Sequence, residues 1–555
     1  MIRPRNVRRF REIVSILIRH GFGWLIVEMG LGKLVPFHWG LLGHPRRKKR
    51  YLAEEHLRMA FEELGPTFIK LAQILSTRPD VISPSYAQEL ARLQDRVPPL
   101  PFEKMKPVIE EELGKPYLQV FSEFDEQPVA SASIGQVYRA RLQNGQQVVV
   151  KVQKPDMEKI IGRDMEILKE VVRYMKQHTQ IGKKYDLEGL LEEFSFTLNN
   201  ELDYIREGQN ADRFRSLFEN DNRLYIPKIY WEWTTPRLLV MEEISGLKVT
   251  EFGEYNEIEI SERHRLAETA VSLTFKEIFE FGFYHADPHP GNFVIMDDGR
   301  LGLMDFGLVG YLEEDTRDQF LRFSYAMVVG DLDDILDAMW ALGIQGPFEK
   351  RPALKRDLNH LLFRVREQSM RELAASDLIH ELMSIAYRHQ LHFPPDLALL
   401  FKVLAMSEGL GAMFDPDFKL FDFARPYLGR LSKKIFSPDK IARKASSDIF
   451  DLLRFGHGLP RRLSYLLQRI ESGDIQMQII QPELEQNAKR MVTATNRLTV
   501  SVLVTLFIVA LGIYILAGHF MGFNYYLVNI LLALFVVGGL ISLKIIIGIW
   551  RQNKF

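Results

Sequence analysis

The chain has 555 residues, 46% of them hydrophobic, a formal net charge of -1 and no cysteine. Near-neutral charge argues against a nucleic-acid binder held by bulk electrostatics, and without cysteine there are no disulfides, thiolate metal sites or cysteine nucleophiles, so any metal must sit on oxygen or imidazole ligands. A chain of this length exceeds what one compact core organises, and two or more lobes with appendages are expected.

Residues 1–19 interleave Arg3, Arg5, Arg8, Arg9, Arg11 and Arg19 with Phe10, Ile13, Val14, Ile16 and Leu17 at helical spacing, which predicts a basic amphipathic helix. Two placements are open to it: an anionic membrane surface, or its own domain. The apolar run at 24–27 is interrupted by Glu28 and lacks a small-residue cleavage pattern, so a signal peptide does not fit. A charged linker, from His44 to Arg50, closes this extension. Over residues 52–76, Leu57, Phe61, Leu64, Phe68, Leu71 and Leu75 recur along one helical face, and Gly65-Pro66 breaks the pattern and starts a second helix. Lys70 and Gln73 point away from that face, and on the residues alone Lys70 is a surface lysine.

Ser131-Ala132-Ser133-Ile134-Gly135-Gln136 runs into a strand at 137–142, an Asn144-Gly145 hairpin signal and a β-branched strand at 148–152 that carries Lys151. A loop between two such strands can cover phosphates with backbone N–H groups, and a lysine so placed can reach the α and β phosphates. Alanine and serine stand where glycine would let the backbone come closer, and they stiffen the loop. The lysine needs an acidic partner from a following helix; Glu201, Asp203 and Glu207 are all candidates, and the residues alone do not choose between them. Residues 237–246 read as a buried strand entering a loop at Met241, Glu242, Glu243 and Ile244, where backbone groups would bond adenine.

The stretch His285-Ala286-Asp287-Pro288-His289-Pro290-Gly291-Asn292, followed by Asp305-Phe306-Gly307, places three polar groups in the order phosphoryl transfer uses. Asp287 would accept or orient the acceptor proton, while Asn292 and Asp305 would hold a metal on the phosphates. Strands at 293–296 and 301–304, joined by Asp297-Asp298-Gly299, would bring Asn292 and Asp305 to the same end of a hairpin. Beyond it the chain is expected to be helical, with apolar faces at 320–341, 378–388 and 397–414, and without an Ala-Pro-Glu motif regulation by loop phosphorylation is not expected. Polar helices are expected at 436–497. Residues 498–518 and 527–543 are each apolar enough to cross a hydrocarbon core of about 30 Å, the second extending to Trp550 if Lys544 snorkels. Lys489, Arg490, Arg497, Lys544, Arg551 and Lys554 flank the pair and the connection has neither Lys nor Arg, so both ends are expected in the cytoplasm.

With these residues in view, the chain resembles the UbiB-like atypical kinases, a family linked to ubiquinone and other isoprenoid-quinone biosynthesis. The resemblance runs over about residues 52–417. It rests on Ala130 to Gln136, the Val-Val-Val-Lys-Val-Gln run at 148–153, Glu201-Leu202-Asp203-Tyr204 and the loop from His285 to Asn292. It implies an α+β, bilobal protein-kinase-like fold: family-specific helices at 51–120 after a 1–50 extension, an N-lobe at 121–245 and a C-lobe at 246–435. A helical linker at 436–497 and the two-helix transmembrane hairpin at 498–550 complete the expected layout.

The resemblance also implies ATP and Mg2+ as cofactors. The alanine-rich loop Ala130, Ser131, Ala132, Ser133, Ile134, Gly135, Gln136 and Val137 would lie on the nucleotide, Glu207 would pair with Lys151, and Lys70 and Gln73 would pack toward Glu201 and Asp203 and block protein substrates. One departure is visible: the family's Lys-x-Gly-Gln motif reads Lys70-Leu71-Ala72-Gln73, and although alanine suits a helix, its methyl alters how closely that helix approaches the loop. The expected function is a membrane-anchored atypical kinase or ATPase with Asp287, Lys151 and Glu207 as catalytic residues. Membrane lipids, isoprenoid-quinone precursors and quinone-biosynthesis enzymes are the implied partners, with no nucleic acid. Two rival expectations stand beside it. A small-molecule phosphotransferase is one, since the His-x-Asp-x-His-Pro-x-Asn loop is similar to that of aminoglycoside and choline kinases; the other is a non-catalytic, ATP-switched membrane scaffold.

Overall fold

The computed structural model describes residues 6–23, 52–76, 82–93, 98–179, 182, 187–254, 259–346, 351–367, 375–391, 394–435 and 509. Contacts divide the chain into Met1–Ile441 and Ala442–Phe555. The expected linker at 436–497 and membrane hairpin at 498–550 lie outside the described residues, Val509 apart, as does the basic linker before residue 51.

Helix α1 (Val7–Arg19) has the amphipathic character expected, and its apolar face is turned inward. Phe10, Ile13, Val14 and Leu17 join a buried cluster with Phe61, Leu64 and Phe68 of α2 (Ala53–Leu64) and α3 (Pro66–Ser76), Leu90 of α4 (Pro84–Leu90) and Ile167 of α6 (Met157–His178). Arg9 fastens it: its guanidinium donates to both carboxylate oxygens of the buried Asp164, at 2.8 and 3.0 Å, and to the Leu64 carbonyl at 2.7 Å. Of the two placements open in the sequence, the helix takes its own domain. Gly65 separates α2 from α3 at φ +94°, a backbone conformation that a side chain would strain.

An antiparallel sheet forms the N-lobe from β1 (Phe121–Phe124), β3 (Gly135–Leu142), β4 (Gln147–Gln153) and β6 (Leu238–Glu242) in that order, with the short β2 (Ala130–Ser131) on β3. Val148, Val150 and Val152 are buried with Met105, Val108 and Ile109 of α5 (Phe102–Leu113). Because successive strand residues face opposite ways, Val149 and Lys151 are turned to the other side, toward the cleft. Two further helices follow in the chain: α7 (Leu187–Glu201) packs on α3 and α6, and α8 (Tyr204–Leu217) packs on β6.

The C-lobe opens with α9 (Ile260–Phe275), which continues into a π-helical turn, Lys276–Phe281, ended by Gly282 at φ +64°. Strand β8 (Phe283–His285) pairs antiparallel with β11 (Val309–Tyr311). Strands β9 (Phe293–Ile295) and β10 (Leu301–Leu303) form the expected hairpin; β5 (Leu224–Tyr225) runs parallel to β10, and β7 (Leu247–Lys248) borders β9. The apolar stretch expected at 320–341 is two helices, α10 (Glu314–Val329) and α11 (Leu332–Ala341), because Gly330 takes φ +80° and Asp331 caps the second by accepting from the Asp334 N–H. After α12 (Arg351–Glu367) and α13 (Ala375–His389), α14 (Pro395–Phe414) packs along α9, and α15 (Leu420–Ile435) returns to α10. Helix α14 is long and apolar enough to cross a membrane, but Leu397, Leu400, Phe401, Val403, Leu410 and Phe414 are buried in the C-lobe core, which accounts for its composition.

Candidate active site

Four residues from three parts of the chain, β4, α8 and the segment after β10, meet at one ammonium. Lys151 on β4 bonds the Glu207 carboxylate of α8 at 2.6 Å and the Asp305 carboxylate at 2.9 Å, and lies 5.3 Å from the centroid of the Tyr204 ring. Glu207 is 4% exposed, Lys151 18% and Asp305 34%, and burial is the largest single influence on each of the three. Burial pushes the Glu207 carboxyl up, to about 7, against the attraction of the Lys151 ammonium. For Lys151, burial acts downward but is outweighed by Asp305 and Glu207, which hold the ammonium well above its ordinary value. At Asp305 burial acts upward, and Lys151, His285 and the Gly307 N–H together outweigh it, keeping the carboxyl below the usual carboxylate range. Of the three acidic candidates for the lysine, the geometry selects Glu207.

The loop before β3 is a tight turn closed by the Ala132 N–H donating to the Gly135 carbonyl at 2.9 Å. Ile134 at its tip is buried among Met157, Ile161, Met165, Leu191, Phe194 and Leu198, and Leu71 and Ile74 of α3 pack on the same cluster. Lys154, itself buried, donates to the Ala132 carbonyl at 2.7 Å, and burial lowers its ammonium. Glycine is needed at 135: a Cβ there would stand 2.3 Å from the Tyr204 hydroxyl and 2.8 Å from the Val152 carbonyl oxygen. The Gln136 side chain is fully buried and bonds the Leu100 N–H, the Leu100 carbonyl and the Tyr138 hydroxyl, so it anchors the loop from below. That side chain is thus turned away from the cleft, whereas the half-buried Val137, directly across the ladder from Lys151, is on the same face as that lysine. Among the described residues the Ser131 Oγ is buried without a hydrogen-bond partner.

At the strand expected to bond adenine, several groups are already engaged. The Glu242 N–H donates to Lys228 and the Glu243 N–H to Gln147; the Glu242 carboxylate accepts from Tyr225, and Glu243 pairs with Arg139 at 2.7 Å. Met241 is buried in the strand, and Ile244 packs against Gly302, where a Cβ would come within 2.8 Å of its side chain.

In the C-lobe, His285 joins the two motifs. Its Nδ1 accepts from the Asp287 N–H at 3.2 Å, which leaves Nε2 to donate to the Asp305 carbonyl at 2.8 Å and so fixes the tautomer. The His285 N–H donates to Glu277, a buried carboxyl on the π-helical turn, at 2.9 Å. Asn292 donates through Nδ2 to the Asp287 carbonyl at 3.0 Å, and its own carbonyl accepts from the Met304 N–H at 2.9 Å. The β9/β10 hairpin thus holds Asn292 beside the start of Asp305-Phe306-Gly307. Phe306 is buried 5.8 Å from the Phe214 ring, and its carbonyl accepts from Asn210, so α8 supplies both Glu207 and the wedge behind Asp305.

A divalent cation fits this donor set. With Nδ2 engaged, Asn292 has Oδ1 to offer, and Asp305 has a carboxylate. Two oxygen ligands from the protein, completed by phosphate oxygens and water, suit magnesium. No group of three or more His, Asp or Glu side chains arranged for a metal occurs among the described residues.

The helix carrying Lys-x-Ala-Gln reaches the site through one of its expected contacts. Lys70 pairs with Glu201 at 3.1 Å, both 15% exposed, so it is not the free surface lysine its spacing suggested. Asp203 is engaged elsewhere: it caps α8 by accepting from the Ile205 N–H at 3.1 Å and lies 3.5 Å from Arg206. Gln73 is half-buried on the same helix as Lys70. Sequence reasoning missed Lys402, whose Nζ lies 3.3 Å from Asp287 Oδ1, as well as Glu277 and Asn210. Lys402 stands 115 positions after Asp287, in a run that reads as buried helix, and the only signal was a lone cation among Leu, Phe and Val.

Comparison with known proteins accords with this geometry. The family described as the ABC1 atypical kinase-like domain matches residues 92–339, and the UbiB helical domain matches residues 358–419. A protein designated sll1770 from Synechocystis is 33% identical over 458 residues, covering 81% of this chain and 76% of its own length. The probable protein kinase UbiB of Pseudomonas aeruginosa is 34% identical over 463 residues, covering 80% of this chain and 84% of that protein. Among solved structures, the complex of Rv3197 with erythromycin from Mycobacterium tuberculosis matches at 24% identity with a TM-score of 0.48, covering 69% of this chain and 95% of that one. With an ordered set of kinase-like motifs, a kinase-like fold around them and relatives that match along most of their length, this chain belongs to the UbiB/ABC1 family of atypical kinase-like proteins.

Proposed function

We propose that the chain is a membrane-anchored atypical kinase or ATPase that binds Mg-ATP and acts in isoprenoid-quinone metabolism. The observation that carries the nucleotide part is the convergence on Lys151, whose ammonium is held at 2.6 Å by Glu207 and at 2.9 Å by Asp305 across 154 positions of chain. In this reading Lys151 orients the α and β phosphates, Glu207 positions Lys151, and the loop from Ala130 to Val137 covers the phosphates with backbone N–H groups. Asn292 and Asp305 hold magnesium, which when bound neutralises charge on the phosphates. Asp287 receives the acceptor proton, with its backbone fixed by His285 and Asn292. Helix α3, tied to α7 through Lys70 and Glu201, sits against the loop tip and favours a small acceptor or water over a protein substrate.

Membrane anchoring is supported by the apolar runs at 498–518 and 527–543 with their basic flanks. The quinone role rests on family resemblance alone. The deciding experiment incubates purified full-length protein with labelled ATP and membrane lipids, following free phosphate and every phosphorylated species. Free phosphate alone means an ATPase, and a labelled lipid means a lipid-directed kinase. Absence of magnesium-dependent nucleotide binding would refute the nucleotide reading.

A further inference from the structure

The catalytic loop from Tyr284 to Asn292 contains no lysine or arginine. Phosphoryl transfer nevertheless leaves negative charge spread over the equatorial oxygens of the migrating group, and a cation aimed at that charge is among the strongest contributions a site can make. Lys151 is committed to the other end of the site, between Glu207 and Asp305. A second ammonium reaches the transfer end from a distant part of the chain: Lys402 of α14, in the stretch matched by the UbiB helical domain, approaches the Asp287 carboxylate at 3.3 Å.

Packing does not explain a lysine there. Its neighbours Leu400, Phe401 and Val403 are buried in the C-lobe core, and it is the one basic residue of the helix. As a stabilising pair the contact is weak, since the side chains are 31% and 40% exposed and water screens them. An ammonium on a flexible four-carbon stem can, however, follow an oxygen that arrives beside Asp287.

We propose that Lys402 is a catalytic residue, and that the helical region completes the active site by placing this ammonium on the γ-phosphoryl group next to the base. The proposal rests on the Mg-ATP reading above. In the step, the oxygen of water or of an acceptor hydroxyl bonds to the γ-phosphorus and its proton passes to the Asp287 carboxylate. The bond from the γ-phosphorus to the bridging oxygen breaks, and its electron pair leaves with ADP. Lys402 keeps its protons throughout. Its hydrogen bond moves from Asp287 to a phosphoryl oxygen, which frees the base as it neutralises the group being transferred.

The test uses the full-length protein in lipid nanodiscs with Lys402→Met and Lys402→Arg. Binding of Mg-ADP and of a Mg-bound, non-hydrolysable ATP analogue is measured alongside phosphate release, with thermal melting as the check on folding. The methionine variant should bind Mg-ADP within about two-fold of the parent, bind the γ-phosphate-bearing analogue about ten-fold more weakly, and lose about 100-fold in turnover; arginine should restore part of the loss. A methionine variant that keeps both turnover and its preference for the analogue within about three-fold would overturn the assignment, as would one that loses both nucleotides equally. A parent protein that binds neither nucleotide would instead overturn the Mg-ATP reading itself.

Discussion

The two ends of the site hold their lysines in opposite ways. Lys151 is clasped by two carboxylates, one of them almost fully buried, beneath a tyrosine ring, and reached by a loop whose tip is itself packed into a helical cluster. Among the described residues Lys402 has one ion-pair partner, at 3.3 Å, and both groups are open to solvent. A buried, doubly paired ammonium is set in position before any ligand arrives, whereas an exposed single pair can be exchanged for a better partner at little cost. In the proposed Mg-ATP reading, the end that anchors phosphate is therefore rigid and the transfer end adjustable, which is the division of labour expected where one substrate is fixed and the other varies.

The rigid end breaks most completely at Asp305. Asp305→Asn removes the metal carboxylate and one of the two anchors of Lys151, and magnesium-dependent phosphate release should fall by about 1,000-fold or more with the fold intact by melting. Undiminished turnover in a folded Asp305→Asn protein would refute the metal assignment. Glu207→Gln is the next largest. It leaves Lys151 a neutral amide oxygen in place of the second carboxylate, so the charge that draws the ammonium away from the metal ligand is lost, and kcat/KM for ATP should drop by about 10- to 100-fold. If the loss instead appears only as a lower melting temperature, with kcat/KM retained, Glu207 stabilises the lobe without positioning the lysine.

The loop above Lys151 sharpens the same contrast. Gly135→Ala drives a methyl to within 2.3 Å of the Tyr204 hydroxyl and 2.8 Å of the Val152 carbonyl, so strand or helix must give way. A cost of about 1–3 kcal/mol is expected for such overpacking, read as a lower denaturation midpoint with weaker nucleotide binding. A variant as stable as the parent would show that the loop is softer than its packing suggests.

How far the sequence disclosed this arrangement depended on how local each signal was. The Asn144-Gly145 turn, the Asp297-Asp298-Gly299 hairpin and the Gly65-Pro66 break are written in neighbouring residues, and the corresponding strands and helices lie where spacing puts them. Side-chain direction at a distance was less legible. Gln136 reads as part of a phosphate loop but is buried under it, because strand pleating sends it toward Leu100 and Tyr138. Asp203 reads as one more carboxylate in a charged run, yet it starts a helix. The membrane or domain placement of α1 could not be read locally either: Arg9 finds a buried Asp164 that lies 155 positions away, and only the folded chain brings them together.

Glu277 is the subtlest of these distant contacts, and it yields the smallest expected effect. It sits on the π-helical turn, 5% exposed, and accepts the His285 N–H that begins the catalytic loop. Burial pushes its carboxyl up from an ordinary 4.5 to about 8, with the His285 hydrogen bond opposing. Between those two values the unfolded chain carries Glu277 ionised while the folded chain holds it protonated. The folded form then binds the extra proton, so this contribution to stability is fully present below pH 4.5 and declines as the pH rises through 8. The decline is at most about 1.4 kcal/mol per pH unit for a single group. Glu277→Gln keeps an oxygen for the His285 N–H and cannot ionise, so its melting temperature should gain on the parent steadily from acid to mildly alkaline pH. Glu277→Ala removes the acceptor, and turnover should fall in that variant while the glutamine variant retains it. Parallel melting curves for parent and Glu277→Gln across that range would mean that the buried carboxyl is ionised in the fold and that something other than protonation balances its charge.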